Sequence, residues 1–283
     1  MIKNIVISNQ KRLEILKREI FKNGKENLHV LSDFDRTLTY TFVKNKKVPS
    51  LISILRDSGK YLGADYAKKA QDLYRKYHAM EVDPKLSIKE KKKAMEEWWG
   101  THIELLIRSG LHQKHLDMVA KSPKIQFRKG ALEFFDFLYS HKIPLIIMSS
   151  SGLGGDVISA VLKKSGKLYP NIYIISNSFI WDESGRATGV EKPIIHTFNK
   201  DETVLKNFPL YSTIKDRKNV LLLGDSLGDI GMIEGFDYDC LIKIGFLNEN
   251  IKGSLEQYEK AYDVLILNDS SMDYVNLLLK EAT

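Results

Sequence analysis

Short apolar runs recur along the chain, and they constrain its fold more than any other feature. Each run is rich in Ile, Val and Leu and ends in small or acidic residues. The runs are HVLSDFD (29–35), IPLIIMSSSG (143–152), IYIISN (172–177), NVLLLGDS (219–226) and DVLILND (263–269). Continuous apolar runs of this length are typical of parallel strands that are buried on both faces of a sheet.

Amphipathic stretches lie between these runs, for example at 131–141 and 154–165. This alternation predicts an α/β fold with a Rossmann-like, doubly wound parallel sheet and helices on both faces. Active sites of such sheets form at the carboxyl ends of the strands. The polar residues that end three of the runs are Asp33, Asp35, Ser149, Ser150 and Asp225. We expect the active site among them.

The segment 48–126 interrupts the alternation, because it has no clear strand pattern and is dense in Lys, Glu, Leu, Tyr and Trp at helical spacing. We predict a helical cap domain at 48–126, inserted into a catalytic α/β core that consists of 1–47 and 127–283. A cap inserted after the first core strand would lie over the catalytic edge, where it can exclude water and select substrates. WDESGRATG (181–189) predicts a small hairpin on the core.

Composition places the chain among ordinary globular proteins, with 283 residues, of which 43% are hydrophobic and 28% charged. Charges interrupt the first residues every few positions, and no window is long and apolar enough to span a bilayer. We expect a cytoplasmic monomer without a membrane partner. The single cysteine, Cys240, excludes an intrachain disulfide and a multi-cysteine zinc site, and is expected to be a small buried residue.

The formal net charge of +7 is spread over the whole chain and therefore says little about partners. Its densest run, KEKKK at Lys89–Lys93, lies in a helical-looking stretch. A solvated helix face explains this run better than a nucleic-acid patch does. A non-catalytic nucleic-acid-binding protein is nevertheless the alternative from a different class, and we expect no nucleic-acid partner.

The strongest chemical signal is DFDRTLT (33–39), in which an apolar strand delivers two carboxylates two residues apart. One carboxylate can attack phosphorus while the other transfers the proton of the leaving group. Asp33 is the candidate nucleophile and Asp35 the candidate acid and base. The structural alternative is a pair of turn aspartates that face solvent.

A second acidic signal is LLLGDSLGD (221–229), which ends another predicted strand. Its carboxylates would lie opposite the first pair and supply the oxygen ligands that a hard divalent cation needs, so that Mg²⁺ fits best. Asp225 would be a direct ligand, and Asp229 would hold a metal-bound water or orient a neighbour. Taken alone, this sequence is as typical of a structural turn as of a functional site.

Two further elements would serve the phosphate. The run SSSG (149–152) can cradle phosphate oxygens with its hydroxyls and backbone N–H groups, which makes Ser149, Ser150 and Gly152 the candidates. A cation must offset the charge of the phosphoryl group, and the candidates for it are Lys192 and Lys200.

This combination resembles the haloacid dehalogenase superfamily, whose four motifs match DFDRTLT, the serine after IPLIIM, a lysine and GDSLGD. From about residue 28 to its end the chain is similar, more specifically, to the cytosolic pyrimidine 5′-nucleotidase (type III) family, including its 7-methylguanosine-phosphate-specific members. Supporting stretches are MEVDPKLSIKEK (80–91), EEWW (96–99), SNSFIWDESG (176–185), IIHTFNKDE (194–202), LLLGDSLGDIGM (221–232) and KIGFLN (243–248).

The resemblance implies a role for each matching residue. The nucleophile falls on Asp33, the acid and base on Asp35, and the motif lysine on Lys200. The magnesium site would consist of Asp33, the backbone carbonyl of Asp35, and Asp225, with Asp229 nearby. The implied activity is a magnesium-dependent hydrolysis of nucleoside 5′-monophosphates through an aspartyl-phosphate. The enzymatic alternative is a superfamily phosphatase of another small phosphorylated metabolite, with the same catalytic residues and a different cap.

Substrate-binding positions of the family fall on Glu81 and Trp99. Where the family reads SAGxGD this chain reads SSSGLGGD, so the motif serine is Ser149 or Ser150. Adjacent helical residues point about 100° apart, so we expect only one of Trp98 and Trp99 to belong to the cap core. In the family the residue at Trp99 stacks on the base, and a tryptophan there is similar to the members that accept 7-methyl-GMP.

Overall fold

A seven-stranded sheet runs through the centre of the protein in the computed structural model, which describes residues 3–22, 24–48, 50–57, 59–83, 85–200 and 210–281. The strands are β1 (Ile5–Ile7), β2 (Leu28–Ser32), β3 (Phe42–Val43), β4 (Lys46–Lys47), β5 (Leu145–Met148), β6 (Ile172–Ile175), β7 (Phe179–Trp181), β8 (Ala187–Val190), β9 (Asn219–Gly224), β10 (Cys240–Leu247) and β11 (Val264–Leu267). The last two residues of the IIHTFNKDE stretch and the outermost residues of the predicted core lie outside the described residues.

Ten helices are described alongside the strands. They are α1 (Gln10–Lys22), α2 (Leu51–Asp57), α3 (Gly63–Val82), α4 (Ile88–Arg108), α5 (Gln113–Ala120), α6 (Ala131–Ser140), α7 (Gly154–Lys164), α8 (Tyr211–Ile214), α9 (Ile251–Ala261) and α10 (Asp273–Glu281). A 3₁₀ helix at Leu227–Ile233 follows β9.

The strand order of the sheet is β1-β11-β10-β9-β2-β5-β6. All neighbours are parallel except β1, which pairs antiparallel with β11 at the edge. After β2 the chain builds β5 and β6 on one side, then returns to build β9, β10 and β11 on the other. Strands β2 and β9 therefore lie at the topological switch point, where a crevice opens at their carboxyl ends. The α/β fold class predicted from the apolar runs is confirmed.

Alternating strand residues divide the core between the two faces of the sheet. Val30 of β2 belongs to a cluster with residues of α1, α6, α7 and α10, while its neighbour Leu31 belongs to a cluster with residues of α8 and the 3₁₀ helix. Both residues are fully buried. Because both faces are covered, the strands have to be apolar throughout, which is the pattern that the sequence carries.

Helices α2 to α5 form the insertion between β2 and α6, and the described residues of 48–126 contain no strand. Helix α4 begins with a capping box in which the Ser87 hydroxyl accepts the Glu90 N–H at 3.3 Å. Tyr77 of α3 packs with Met95 and Trp98 of α4 in a cluster separate from the two sheet clusters. The helical insertion is confirmed, while its limits as a domain stay a prediction.

Smaller features complete the comparison with the sequence. Strands β7 and β8 form the predicted hairpin. Strands β1, β3 and β4 were not predicted because they are short. Strand β10 was not predicted because Lys243 interrupts its apolar run. Cys240 is buried as expected. Among the described residues, no helix combines the length and the apolar character that crossing a membrane requires.

Candidate active site

Two strand ends place the acidic residues of the crevice. Asp33 follows β2 directly and its N–H donates to the carbonyl of Leu223 in β9 at 3.0 Å, so the two motif loops leave the sheet side by side. Asp225 follows β9, and Asp229 lies one turn further in the 3₁₀ helix. Carboxylate oxygens of Asp33, Asp225 and Asp229 all lie within 4.8 Å of one another. Motifs separated by almost 200 residues thus form one acidic cluster.

Lys200 reaches into this cluster from a loop. Its Nζ lies 2.5 Å from Oδ1 of Asp33 and 2.9 Å from Oδ1 of Asp229, and the residue is only 5% exposed. The other candidate, Lys192, is exposed and precedes a cis proline. Of the two lysines that the sequence left open, Lys200 is the one that contacts the acidic residues.

Asp229 holds its neighbours in place. Its Oδ2 accepts the N–H groups of Asp225 and Ser226 at 3.0 and 2.9 Å and the Ser226 hydroxyl at 3.0 Å. The hydroxyls of Tyr258 and Tyr262 donate to the carbonyls of the same two residues at 2.9 and 2.5 Å. Both oxygens of Asp229 are therefore engaged, which suits orienting a neighbour better than direct coordination.

Burial governs the protonation of the acidic residues. Desolvation raises the pKa of Asp33 to about 7, although the ammonium of Lys200 pulls it down, and raises the pKa of Asp35 to about 6. Burial and the charges of Asp229 and Asp33 raise the pKa of Asp225 well above its usual range. Burial alone would lower the pKa of Lys200, but Asp229 and Asp33 outweigh it and raise this pKa. The lysine is therefore charged.

A divalent cation fits this crevice. Among the described residues that line the cavity, acidic side chains outnumber cationic ones, in a site of low dielectric. The acidic residues are Asp33, Asp35, Glu81, Asp225 and Asp229, and the cationic ones are Arg36, Arg56 and Lys200. Within the described residues, no hydrogen-bond donor contacts the Asp225 carboxylate, which leaves its oxygens available as ligands. Hard cations such as Mg²⁺ take oxygen ligands of this kind.

The serine loop lies between β5 and α7. The Ser149 hydroxyl accepts the N–H of Ser151 at 3.2 Å, and the Ser151 hydroxyl accepts the N–H of Leu153 at 3.3 Å. Ser149, Ser150 and Gly152 all line the crevice, Ser149 buried and Ser150 half-buried. Since both serines lie at the crevice, the choice between them stays open.

The acidic residues and the serine loop line one side of a cavity of about 280 Å³, and residues of the helical insertion line the opposite side. Trp98, Trp99 and His102 line it from α4, and Tyr74 and His78 line it from α3. The rings of Trp99 and His102 are parallel within 2° at 5.8 Å, and those of Tyr74 and His78 within 12° at 4.9 Å. The wall is therefore a set of aromatic faces.

Only Trp98 of the two adjacent indoles belongs to the α3–α4 cluster of the insertion, as expected, but both indoles are buried. Trp98 is 6% and Trp99 7% exposed. Helix α4 lies between α3 and the core, so residues on two sides of it are covered: Trp98 packs in the α3–α4 cluster and Trp99 in the main core. A Cβ on Gly152 would lie 2.2 Å from the Trp99 ring, so this glycine lets the indole approach the serine loop.

Glu81 joins the insertion to the loop that carries Lys200. Its Oε1 accepts the Thr197 hydroxyl at 2.9 Å, and its Oε2 lies 3.0 Å from Nδ1 of His78. Tyr74, His78 and Glu81 follow one another at spacings of four and three residues, which puts them on one face of α3. This spacing around Glu81 could have identified Tyr74 and His78 from the sequence, whereas nothing in the sequence indicated Thr197.

Solved structures share the fold. Phosphoserine phosphatase with bound substrate superposes with a TM-score of 0.53 at 17% identity, over 89% of this chain and 96% of that one. Cytosolic 5′-nucleotidase IIIB bound to cytidine superposes with a TM-score of 0.90 at 29% identity, over 100% of this chain and 94% of that one. The fold is that of haloacid dehalogenase-like phosphatases.

Sequence comparison narrows the class. Residues 36–283 match the family described as pyrimidine 5′-nucleotidase (UMPH-1). The 7-methylguanosine phosphate-specific 5′-nucleotidase B of Xenopus laevis is 37% identical over 93% of this chain and 90% of its own length. The human 7-methylguanosine phosphate-specific 5′-nucleotidase is 34% identical over 92% and 86%, respectively. The chain belongs to the pyrimidine 5′-nucleotidase family and is a phosphoric monoester hydrolase that acts on nucleoside monophosphates, which disfavours the non-catalytic alternative.

Proposed function

We propose that this 5′-nucleotidase hydrolyses pyrimidine nucleoside monophosphates and 7-methyl-GMP with Mg²⁺ as its cofactor. The observation that carries the proposal is the contact of Lys200 with Asp33 and Asp229 beneath an aromatic cavity. The crevice suits a phosphate, and the aromatic wall suits a base. Relatives that are named for 7-methylguanosine phosphate and a similar structure bound to cytidine support both kinds of substrate.

Two chemical steps follow from the side chains. An Asp33 oxygen attacks phosphorus, the bond from phosphorus to the 5′-oxygen breaks, and Asp35 gives its proton to that oxygen so that the nucleoside leaves. Asp35 then takes a proton from water as the water attacks the aspartyl-phosphate, which releases phosphate and restores Asp33. Asp35 enters the first step protonated, and burial helps because it raises the pKa of Asp35 to about 6.

Lys200 favours the ionised form of Asp33 and offsets charge on the phosphoryl group. Asp229 holds Lys200 and the loop at Asp225 in register. Ser149, Ser150 and Gly152 would bind the phosphate oxygens.

Asp33, Asp225 and the backbone carbonyl of Asp35 would hold the magnesium ion, with Asp229 supporting the site from behind. When bound, the ion would neutralise the buried carboxylates and the phosphate charge. The excess of negative charge in the crevice supports this assignment.

Substrate choice would lie in the insertion, which we propose as a cap domain over 48–126 on a core of 1–47 and 127–283. Trp99 would stack on the base and Glu81 would accept hydrogen bonds from it. A base methylated at N7 is positively charged, and indole is the most favourable aromatic face for a cation. Cytosolic names of relatives support a cytoplasmic location, where the protein would act as a monomer.

Phosphate release tests the proposal. CMP, UMP, GMP, AMP and 7-methyl-GMP are compared with phosphoserine and glucose 6-phosphate, each with Mg²⁺ and with EDTA. We expect kcat/KM to be highest for CMP, UMP and 7-methyl-GMP, and activity to disappear in EDTA and return with Mg²⁺. A higher kcat/KM for either non-nucleotide ester would instead support a metabolite phosphatase, and full activity in EDTA would refute the metal requirement.

A further inference from the structure

A buried arginine lies behind the nucleophile loop, outside the substrate cavity. Arg128 is 1% exposed although its guanidinium is charged. It donates to the carbonyls of Thr37 and Ser270, both at 2.8 Å, and to Oδ1 of Asn248 at 2.7 Å. A fourth hydrogen bond goes to the carbonyl of Arg36. A buried charge with this many directed partners has a defined geometry.

The backbone that Arg128 holds is unusual. Arg36, which directly follows the candidate acid and base Asp35, has φ of 63°. This left-handed conformation is unfavourable for residues other than glycine. Its carbonyl also accepts a hydrogen bond from the Asn248 side chain at 3.0 Å. Two donors therefore hold the Arg36–Thr37 peptide, which begins one residue after Asp35, and they keep the backbone beside Asp35 in a conformation that the chain would not adopt alone.

Neighbouring strands anchor the same loop. Asp269, beyond the end of β11, forms an ion pair with Arg128 at 2.9 Å. The Asp269 carboxylate also accepts the N–H groups of Thr41 and Phe42 at 2.9 and 2.8 Å. Asn248 lies beyond the end of β10. The loop after β2 is thus fixed by residues at the ends of two other strands, with Arg128 at their centre.

We propose that Arg128 is a positioning residue that aims Asp35 at the leaving-group oxygen, which rests on the acid role proposed for Asp35. Arg128 acts through the backbone at Arg36 and Thr37. The planar fork of the guanidinium serves several carbonyls at fixed angles, and the ammonium of a lysine cannot reproduce that arrangement. A displacement of about 1 Å can lower the rate about 100-fold when a reacting group must be aligned.

The test uses leaving groups of different quality. Wild type, Arg128→Lys and Asn248→Ala are assayed with CMP, whose 5′-oxygen must be protonated to leave, and with p-nitrophenyl phosphate, whose phenolate leaves without a proton. We expect kcat/KM of Arg128→Lys to fall at least about 10-fold for CMP and less than about threefold for p-nitrophenyl phosphate. Asp35→Asn should give the same unequal pattern, and Asn248→Ala a weaker one.

Arg217→Ala is the matched control. Arg217 donates to the carbonyls of Lys25 and Leu28 at 3.1 and 3.0 Å, at the opposite end of β2, so its removal also costs partly buried hydrogen bonds to the backbone. We expect it to lower the unfolding temperature without changing either kcat/KM. If Arg128→Lys lowered kcat/KM equally for the two esters, or did not lower it for CMP, the positioning role would be overturned. The proposed nucleotidase function would still stand, because it is tested on the wild-type protein. The positioning role would also be overturned if Asp35→Asn lowered kcat/KM more for CMP than for p-nitrophenyl phosphate while Arg128→Lys changed neither value.

Discussion

The cavity has a floor, formed by the residues at the ends of β2 and β9 together with Lys200, and a wall, formed by the aromatic residues of α3 and α4. These two regions are stabilised in different ways. On the floor, hydrogen bonds and ion pairs connect Lys200, Asp229 and Ser226 to the ends of β2 and β9. On the wall, the indole N–H groups of Trp98 and Trp99 have no hydrogen-bond partner among the described residues, and the rings are held by stacking at 5.2 Å. Directional bonds fix positions for chemistry, whereas stacked faces accept bases of several kinds.

This contrast predicts that floor substitutions change the chemical step while wall substitutions change substrate choice or stability. The largest effect is expected for Asp33→Asn. The amide has nearly the same size but cannot act as the nucleophile, so kcat should fall at least about 10⁴-fold. Phosphate release from CMP measures it, and circular dichroism checks the fold. A folded variant that keeps turnover near the wild-type value would refute the nucleophile assignment.

The second prediction separates the two lysines. Lys200→Ala removes the cation that contacts Asp33 and Asp229, and kcat should fall about 100-fold or more. Lys192→Ala is the control, because that side chain is exposed, and it should change kcat by less than about twofold. The reverse order of sensitivity, measured with CMP, would move the catalytic cation to Lys192.

The third prediction concerns the wall at acid pH. Burial, together with the charge of Arg56, lowers the pKa of His102 to about 3. An unfolded histidine titrates near about 6.5, so this residue contributes stability above that pH and loses it as the pH falls towards its folded value. At pH 5 the loss is about 2 kcal/mol.

Urea unfolding of wild type and His102→Gln at about pH 7.5 and 5 measures this loss. The free energy of unfolding of wild type should fall by about 2 kcal/mol more than that of the variant. Glutamine does not titrate, and the other ionisable groups are common to both proteins. If the free energy of unfolding fell equally in the two proteins, protonation of His102 would not destabilise the folded state.

The smallest effect is expected for base choice. Trp99→Ala should lower kcat/KM for 7-methyl-GMP more than for UMP, by a further factor of about five, because the cation–π attraction is worth about 1 kcal/mol. Trp181→Ala, on the β7–β8 hairpin and outside the cavity, is the control and should affect both substrates little. Equal losses on both substrates would mean that Trp99 supports the cap without recognising the base.

Local sequence determined the fold class and the floor of this protein. An apolar run has to be buried, and a parallel sheet brings the residues after such runs to one edge, so Asp33, Ser149 and Asp225 were predictable as neighbours. Lys200 was one of two candidates, because a lysine in a loop carries no local signal of where the loop will fold.

Only the tertiary structure decided the contacts that depend on segments distant in the chain. Trp98 and Trp99 are both buried because α4 has covered surroundings on two sides, which the helical period alone cannot indicate. In the sequence Arg128 looks like a surface residue. In the structure it is buried and holds the loop after β2 through hydrogen bonds to partners more than 90 residues away. Periodicity reports which face of an element is covered, but not by what, and a buried polar partner is selected by three-dimensional proximity.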